Sequence, residues 1–271
     1  MASKECFHFT KLDRAYSIRD NGLQVRLEEN ARVVGDTKPK ISYSDSKIGA
    51  IGLFANFYEV YNNYKTGKRK PREDKIGEKE TYKSIMQSDS FEQFLGKGMY
   101  LVFDGTGIEN TGGNTGKGGI YDASTTTPIS ANNLQVGLIK NNDTGEISYS
   151  KFDYIHYLMS TMTQDEFSQM ILPMQERYIA YYREHQEQID KFRTGNFSQG
   201  KINIEDFCRF FKDDIDKVIE DAQIQDTSEK KSWELSKEQL DNYNTGVKQV
   251  LDNRKCNINN ERNAPEADIE Y

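Results

Sequence analysis

Glu5-Cys6-Phe7-His8-Phe9-Thr10-Lys11-Leu12-Asp13-Arg14-Ala15-Tyr16-Ser17-Ile18-Arg19-Asp20-Asn21-Gly22-Leu23 carries three structural signals in succession. Glu5 to Phe9 reads as a short strand. Thr10 then stands as N-cap of a helix whose apolar stripe is Leu12, Ala15 and Ile18. Asn21-Gly22 ends that helix, and Leu23 supplies the hydrophobic contact beyond the glycine. The same unit of strand and helix repeats downstream. Lys40 to Ser44 alternates in strand fashion, and Asp45 or Ser46 caps a second helix to about Tyr61, with Ile48, Ile51, Phe54, Ala55 and Tyr58 on one face.

Further along, Met99 to Phe103 is apolar throughout and is expected as a buried strand. Gly105 to Gly119 holds seven glycines, too many for a packed element. Gly119 to Ala123 and Leu134 to Lys140 are further short strands, and the turn Asn141-Asn142-Asp143-Thr144-Gly145 leads into a last one at Glu146 to Tyr149. From Lys151 the apolar period changes from two to about 3.6. Phe152, Ile155 and Met159 mark one helix; Thr163-Gln164-Asp165-Glu166 is a capping box for another, kinked or restarted at Pro173. A third helix is expected over Ile204 to Ala222, a fourth from Ser236 through Leu251, and a disordered tail after residue 255. These signals predict an α+β chain with a mixed β-sheet domain over residues 1–150, a helical domain over 151–255 and a tail over 256–271.

Composition narrows the classes. Only 35% of the 271 residues are hydrophobic, but 16 Tyr and 14 Phe can close a core. A net charge of -7 opposes phosphate backbones, and the one basic run, from Lys65 to Lys75, reads as a solvated loop, so a nucleic-acid partner is not expected. Cys6, Cys208 and Cys256 form neither a disulfide framework nor a metal knuckle. No leader pattern and no membrane span is read, which makes the cytoplasm the expected compartment.

For chemistry, the glycine loop offers Gly116-Lys117-Gly118 where a Walker loop needs Lys followed by Ser or Thr, and no GxGxxG opens a helix after a strand. His156 and His185 lie in helical stretches beside tyrosines, where a structural role is the ordinary one, and no histidine pair has zinc spacing, so no metal is expected. His8 differs. It sits at a strand end directly before a helix, where an inward side chain can face a cleft.

Phe7-His8-Phe9-Thr10, followed by Leu12, Ile18 and Gly22-Leu23, resembles the opening of ADP-ribosyltransferase-fold enzymes, which place a His on the first strand before a helix ending in Gly-Leu. Lys40-Ile41-Ser42-Tyr43-Ser44 with its following helix resembles the second strand of small ADP-ribosyltransferases. Leu95-Gly96-Lys97-Gly98-Met99-Tyr100 is similar to the Gly-Lys-Gly-x-Tyr strand of poly(ADP-ribose) polymerases, and both registers cannot hold at once. The resemblance covers the N-terminal half. It implies NAD as the substrate, with His8, Tyr43 and Asp122 catalytic and with His8, Thr10, Ser42, Tyr43 and Tyr100 binding. Asp104 and Glu109 are alternative acids. The acceptor, protein or small molecule, is not readable, and the helical half is a candidate partner surface. Two other readings stay open: an inactive relative acting as a binding or regulatory module, and an RNA- or phosphate-directed transferase of the same fold, which needs a basic wall from residues such as Lys11, Arg14 and Arg26.

Overall fold

A computed structural model describes residues 4–25, 40–72, 76–111 and 123–222. One compact unit spans Met1–Val218 and a second Ile219–Tyr271. Of the second unit only residues 219–222 are described, so the expected helix from Ser236 and the expected tail lie outside the described residues.

The first unit is built on antiparallel sheets. β1 (Glu5–Lys11) pairs along its whole length with β3 (Gly98–Asp104), Glu5 opposite Asp104 and Lys11 opposite Gly98. β3 pairs with β5 (Gln135–Asn141), which also meets β6 (Ile147–Ser148). β2 (Ile41–Tyr43) and β4 (Ala123–Thr125) form a separate two-stranded sheet. The expected strand at Gly119–Ala123 falls mostly outside the described residues.

Strand alternation gives β1 two faces. Phe7 joins Tyr100, Val102 and Ile139 in the main core, under α2 (Lys47–Lys65), α5 (Lys151–Ser160) and α7 (Leu172–Glu184). The core is aromatic: Tyr58 meets Tyr181 edge-on at 4.9 Å and Tyr100 stacks on Tyr154 at 5.5 Å. Gly137 makes room for that layer, because a Cβ there would lie 2.3 Å from the Tyr154 ring. Cys6, His8 and Thr10 point to the other face.

Several local signals are realised. Ser46 caps α2 by accepting from Gly49 N at 3.1 Å. Thr163 and Glu166 close the expected capping box on α6 (Gln164–Gln169), and Pro173 sits in the first turn of α7, where its missing N–H is harmless. Between them in chain order lie α3 (Ile76–Gln87) and α4 (Phe91–Leu95), and α8 (Gln186–Thr194) follows α7.

Three expectations are corrected. Thr10 is not a helix cap: β1 continues to Lys11, a 3-10 turn covers Leu12–Arg14, and α1 begins only at Ala15 and ends at Asn21. The strand wins because Leu12 N donates to Lys97 O at 3.2 Å, carrying the chain along β3 beyond the expected cap. The chain after residue 150 is not all helix either. β7 (Phe197–Asn203) pairs with β5 from Asn141 opposite Phe197 to Gln135 opposite Asn203, before α9 (Ile204–Phe210) begins. Residue 150 therefore does not separate two bodies, since the later segment supplies both a strand of the first sheet and helices that cover it.

Candidate functional site

β1 and the residue just after β2 are joined by one bridge, Phe7 and Ser44, whose backbone groups exchange two 2.8 Å hydrogen bonds. Beyond that pair no ladder continues. The His8 ring spans the gap, its Nδ1 lying 2.7 Å from the Ser42 carbonyl oxygen. A carbonyl only accepts, so Nδ1 carries the proton and the ring orientation is set by the neighbouring strand.

A cavity of about 240 Å³ opens beside this contact. His8 and Thr10 line it from β1, and Lys40, Ile41 and Ser42 from the approach to β2 and its first residues. Asp13 and Arg14 enter from the 3-10 turn, while Ser17 and Ile18 come from α1 and Gly22 and Leu23 from its end. The wall is fixed in place at that end. Gly22 has φ +70, and a Cβ on it would fall 2.2 Å from the Ile129 carbonyl oxygen, so glycine is required. Leu23 then exchanges backbone bonds of 2.9 and 3.0 Å with Ile129.

His8, Thr10 and Ser42 are thus brought together. The two tyrosines are not. Tyr100 stands opposite Phe9, on the core side of the sheet, buried to 5% exposure, where burial pushes its hydroxyl pKa far up. Tyr43 is equally buried; it meets Phe103 edge-on at 5.5 Å and does not line the cavity. Asp122 lies outside the described residues. Asp104, at the far end of β3, accepts from the Thr106 N–H at 2.9 Å, and neither it nor Glu109 lines the cavity. Of the proposed basic wall, Arg14 lines the cavity, Lys11 does not, and Arg26 lies outside the described residues.

Asp13 is the residue that sequence reasoning missed. Among the described residues its Oδ1 is buried with no hydrogen-bond partner. The only local hint is its place just after the strand, on a turn that the helical pattern concealed.

A second cavity, of about 670 Å³, lies between Glu92–Gly98 and the segment from Glu146 to Asp153. Its wall includes Lys151, whose Nζ donates to the Gly96 carbonyl and lies 4.7 Å from the centre of the Phe9 ring. That amine already has an acceptor and an aromatic neighbour. Among the described residues no helix is long and apolar enough to cross a membrane. No family model matches the chain, and neither a curated protein nor a solved structure does.

Proposed function

We propose that this chain consumes NAD and transfers its ADP-ribose to an acceptor at the His8 cavity. The observation that carries the reading is convergence. His8 and Thr10 on one strand, Ile18 and Gly22-Leu23 on the helix after it, and Ser42 on a strand far along the chain carry the resemblance to ADP-ribosyltransferases, and all line one cavity. Residues 8 to 23 are contiguous in the chain, so the independent part of this convergence is that Ser42 joins them.

In the proposed reaction the bond from C1′ of the ribose to the nicotinamide nitrogen breaks and nicotinamide leaves with the bonding pair. The acceptor nucleophile, or water, then bonds C1′ and gives up its proton. The transition state carries oxocarbenium-like charge, which a carboxylate stabilises. Asp122 is the candidate from the resemblance. His8 positions the ribose, its ring held by the Ser42 carbonyl so that little rotamer freedom is lost on binding.

The assay is nicotinamide release from labelled NAD. His8→Ala is expected to lower kcat/KM by about a hundredfold, the scale of a lost positioning contact; equal turnover in both proteins refutes the reading. The packing of Tyr43 and Tyr100 away from the cavity favours a second reading, a binding module that holds NAD without cleaving it. Thermal stabilisation by NAD with no nicotinamide released distinguishes that case.

A further inference from the structure

Lys151, the first residue of α5, is 1% exposed, and a lysine is almost never so deeply buried without a charged partner. Its Nζ donates to the Gly96 carbonyl and lies 4.7 and 5.1 Å from the centres of the Phe9 and Phe152 rings. Four carboxylates, Glu92, Glu146, Asp153 and Asp214, line the same cavity of about 670 Å³. Among the described residues none of them pairs with the amine. Asp153 accepts from the Ser148 hydroxyl at 2.6 Å and Asp214 from the Tyr149 hydroxyl at 3.1 Å.

An ammonium has three donors, and a single acceptor is provided here. The two rings offset only part of the cost of burying its charge. Lys11 lies two residues beyond Phe9 on the same face of β1 and adds a second cation. Burial first, and Lys11 second, bring the Lys151 pKa down from 10.5 to about 7. The neutral amine fits the place: one N–H goes to Gly96 and the lone pair is left over. Desolvation and a neighbouring cation are the two means by which a lysine becomes a nucleophile at neutral pH.

We propose that Lys151 is a nucleophilic amine that holds an aldehyde or ketone in this cavity as a reversible imine. The Nζ lone pair bonds the carbonyl carbon, both amine hydrogens pass to the carbonyl oxygen, and that oxygen leaves as water. Hydrolysis reverses each step. The volume falls in the roughly 300–1,000 Å³ range of small-molecule sites. The wall selects the other end of the ligand. Its carboxylates outnumber its lysines, Lys97 and Lys151, and a carboxylate accepts hydrogen bonds, so the ligand brings hydroxyl or amine donors rather than a phosphate. A small hydroxy- or amino-aldehyde has that chemistry. Phe9 is on the opposite face of β1 from His8, so this site does not depend on the NAD reading.

The test treats the full chain with glyceraldehyde and cyanoborohydride, which reduces any imine to a stable amine, and maps the modified lysines by mass. At pH 7 a lysine of ordinary pKa has about one amine in 2,500 unprotonated, against about half for one titrating near 7. Lys151 is expected to be modified at least tenfold faster than an exposed lysine such as Lys140, at a rate that levels off above about pH 7.5 while the other keeps rising to pH 9. Lys11→Gln should move the levelling to higher pH, and Lys151→Met should remove the fast modification. Modification of Lys151 no faster than that of Lys140, or a rate still rising between pH 8 and 9, overturns the inference. The wild-type map decides the matter even if Lys151→Met does not fold.

Discussion

His156 is 4% exposed, shares a 2.7 Å hydrogen bond between its Nε2 and the Tyr181 hydroxyl, and has the His185 ring 6.1 Å away. Burial first, and the His185 charge second, hold its pKa down from 6.5 to about 3. Between those values the unfolded chain binds the proton and the folded one does not. Stability from this group is therefore complete above pH 6.5 and is lost as pH falls toward 3. His156→Gln keeps a hydrogen-bonding group beside Tyr181 without titrating. Urea unfolding at pH 7, 6 and 5 should show a shallower loss of stability in the variant, and parallel slopes would refute this. Lys151, between Phe9 and Phe152, is pushed down to about 7 by burial and then by Lys11. At this scale the sequence was legible where a residue's neighbours are close in the chain. His8, Thr10 and Gly22-Leu23 come to one cavity because one strand and one short helix hold them. Tyr43 and Tyr100 were not placed, since their surroundings depend on Phe103 and Tyr154, which no local pattern names.

Among the elements, α6 is the most local. Thr163 Oγ1 accepts from Glu166 N at 3.1 Å, and Glu166 Oε2 accepts from Thr163 N at 2.9 Å and from Lys47 Nζ at 2.9 Å. The box thus fastens α6 to the start of α2 as well as capping it. Thr163→Ala should cost about 1 kcal/mol, a fall in Tm of roughly 2–4 °C for a unit of this size. A melting curve superimposed on wild type would show that the cap contributes nothing. Such signals are legible because four consecutive residues contain them. β7 contains no comparable signal: Phe197-Ser198-Gln199-Gly200-Lys201-Ile202-Asn203 is mostly polar, none of its residues is fully buried, and its partners lie on β5. Its identity as a strand comes from the edge it meets.

For the whole molecule, the unit that folds is set by what covers the sheet. Phe7, Tyr100 and Val102 have α2, α5 and α7 over them, and Lys201 on β7 bonds Glu5 on β1. Tyr16 on α1 likewise donates to Asp216 at 2.6 Å. A chain ending at residue 150 loses α5, α7 and β7 together and exposes that aromatic face. It should show no cooperative thermal transition and should bind a hydrophobic dye, whereas a chain ending at residue 222 should melt cooperatively. A sharp transition in the shorter chain would restore residue 150 as a domain boundary.

The late position of β7 also has a consequence for synthesis. On a ribosome adding about 5–20 residues per second, roughly 3–12 s pass between Asn141 and Asn203. Through that interval β5 has no partner along the edge that β7 later takes, and an unpaired edge is a template for other chains. The nascent protein therefore reaches its sheet in an order that delays closure, and its yield on expression should depend on how long that edge waits.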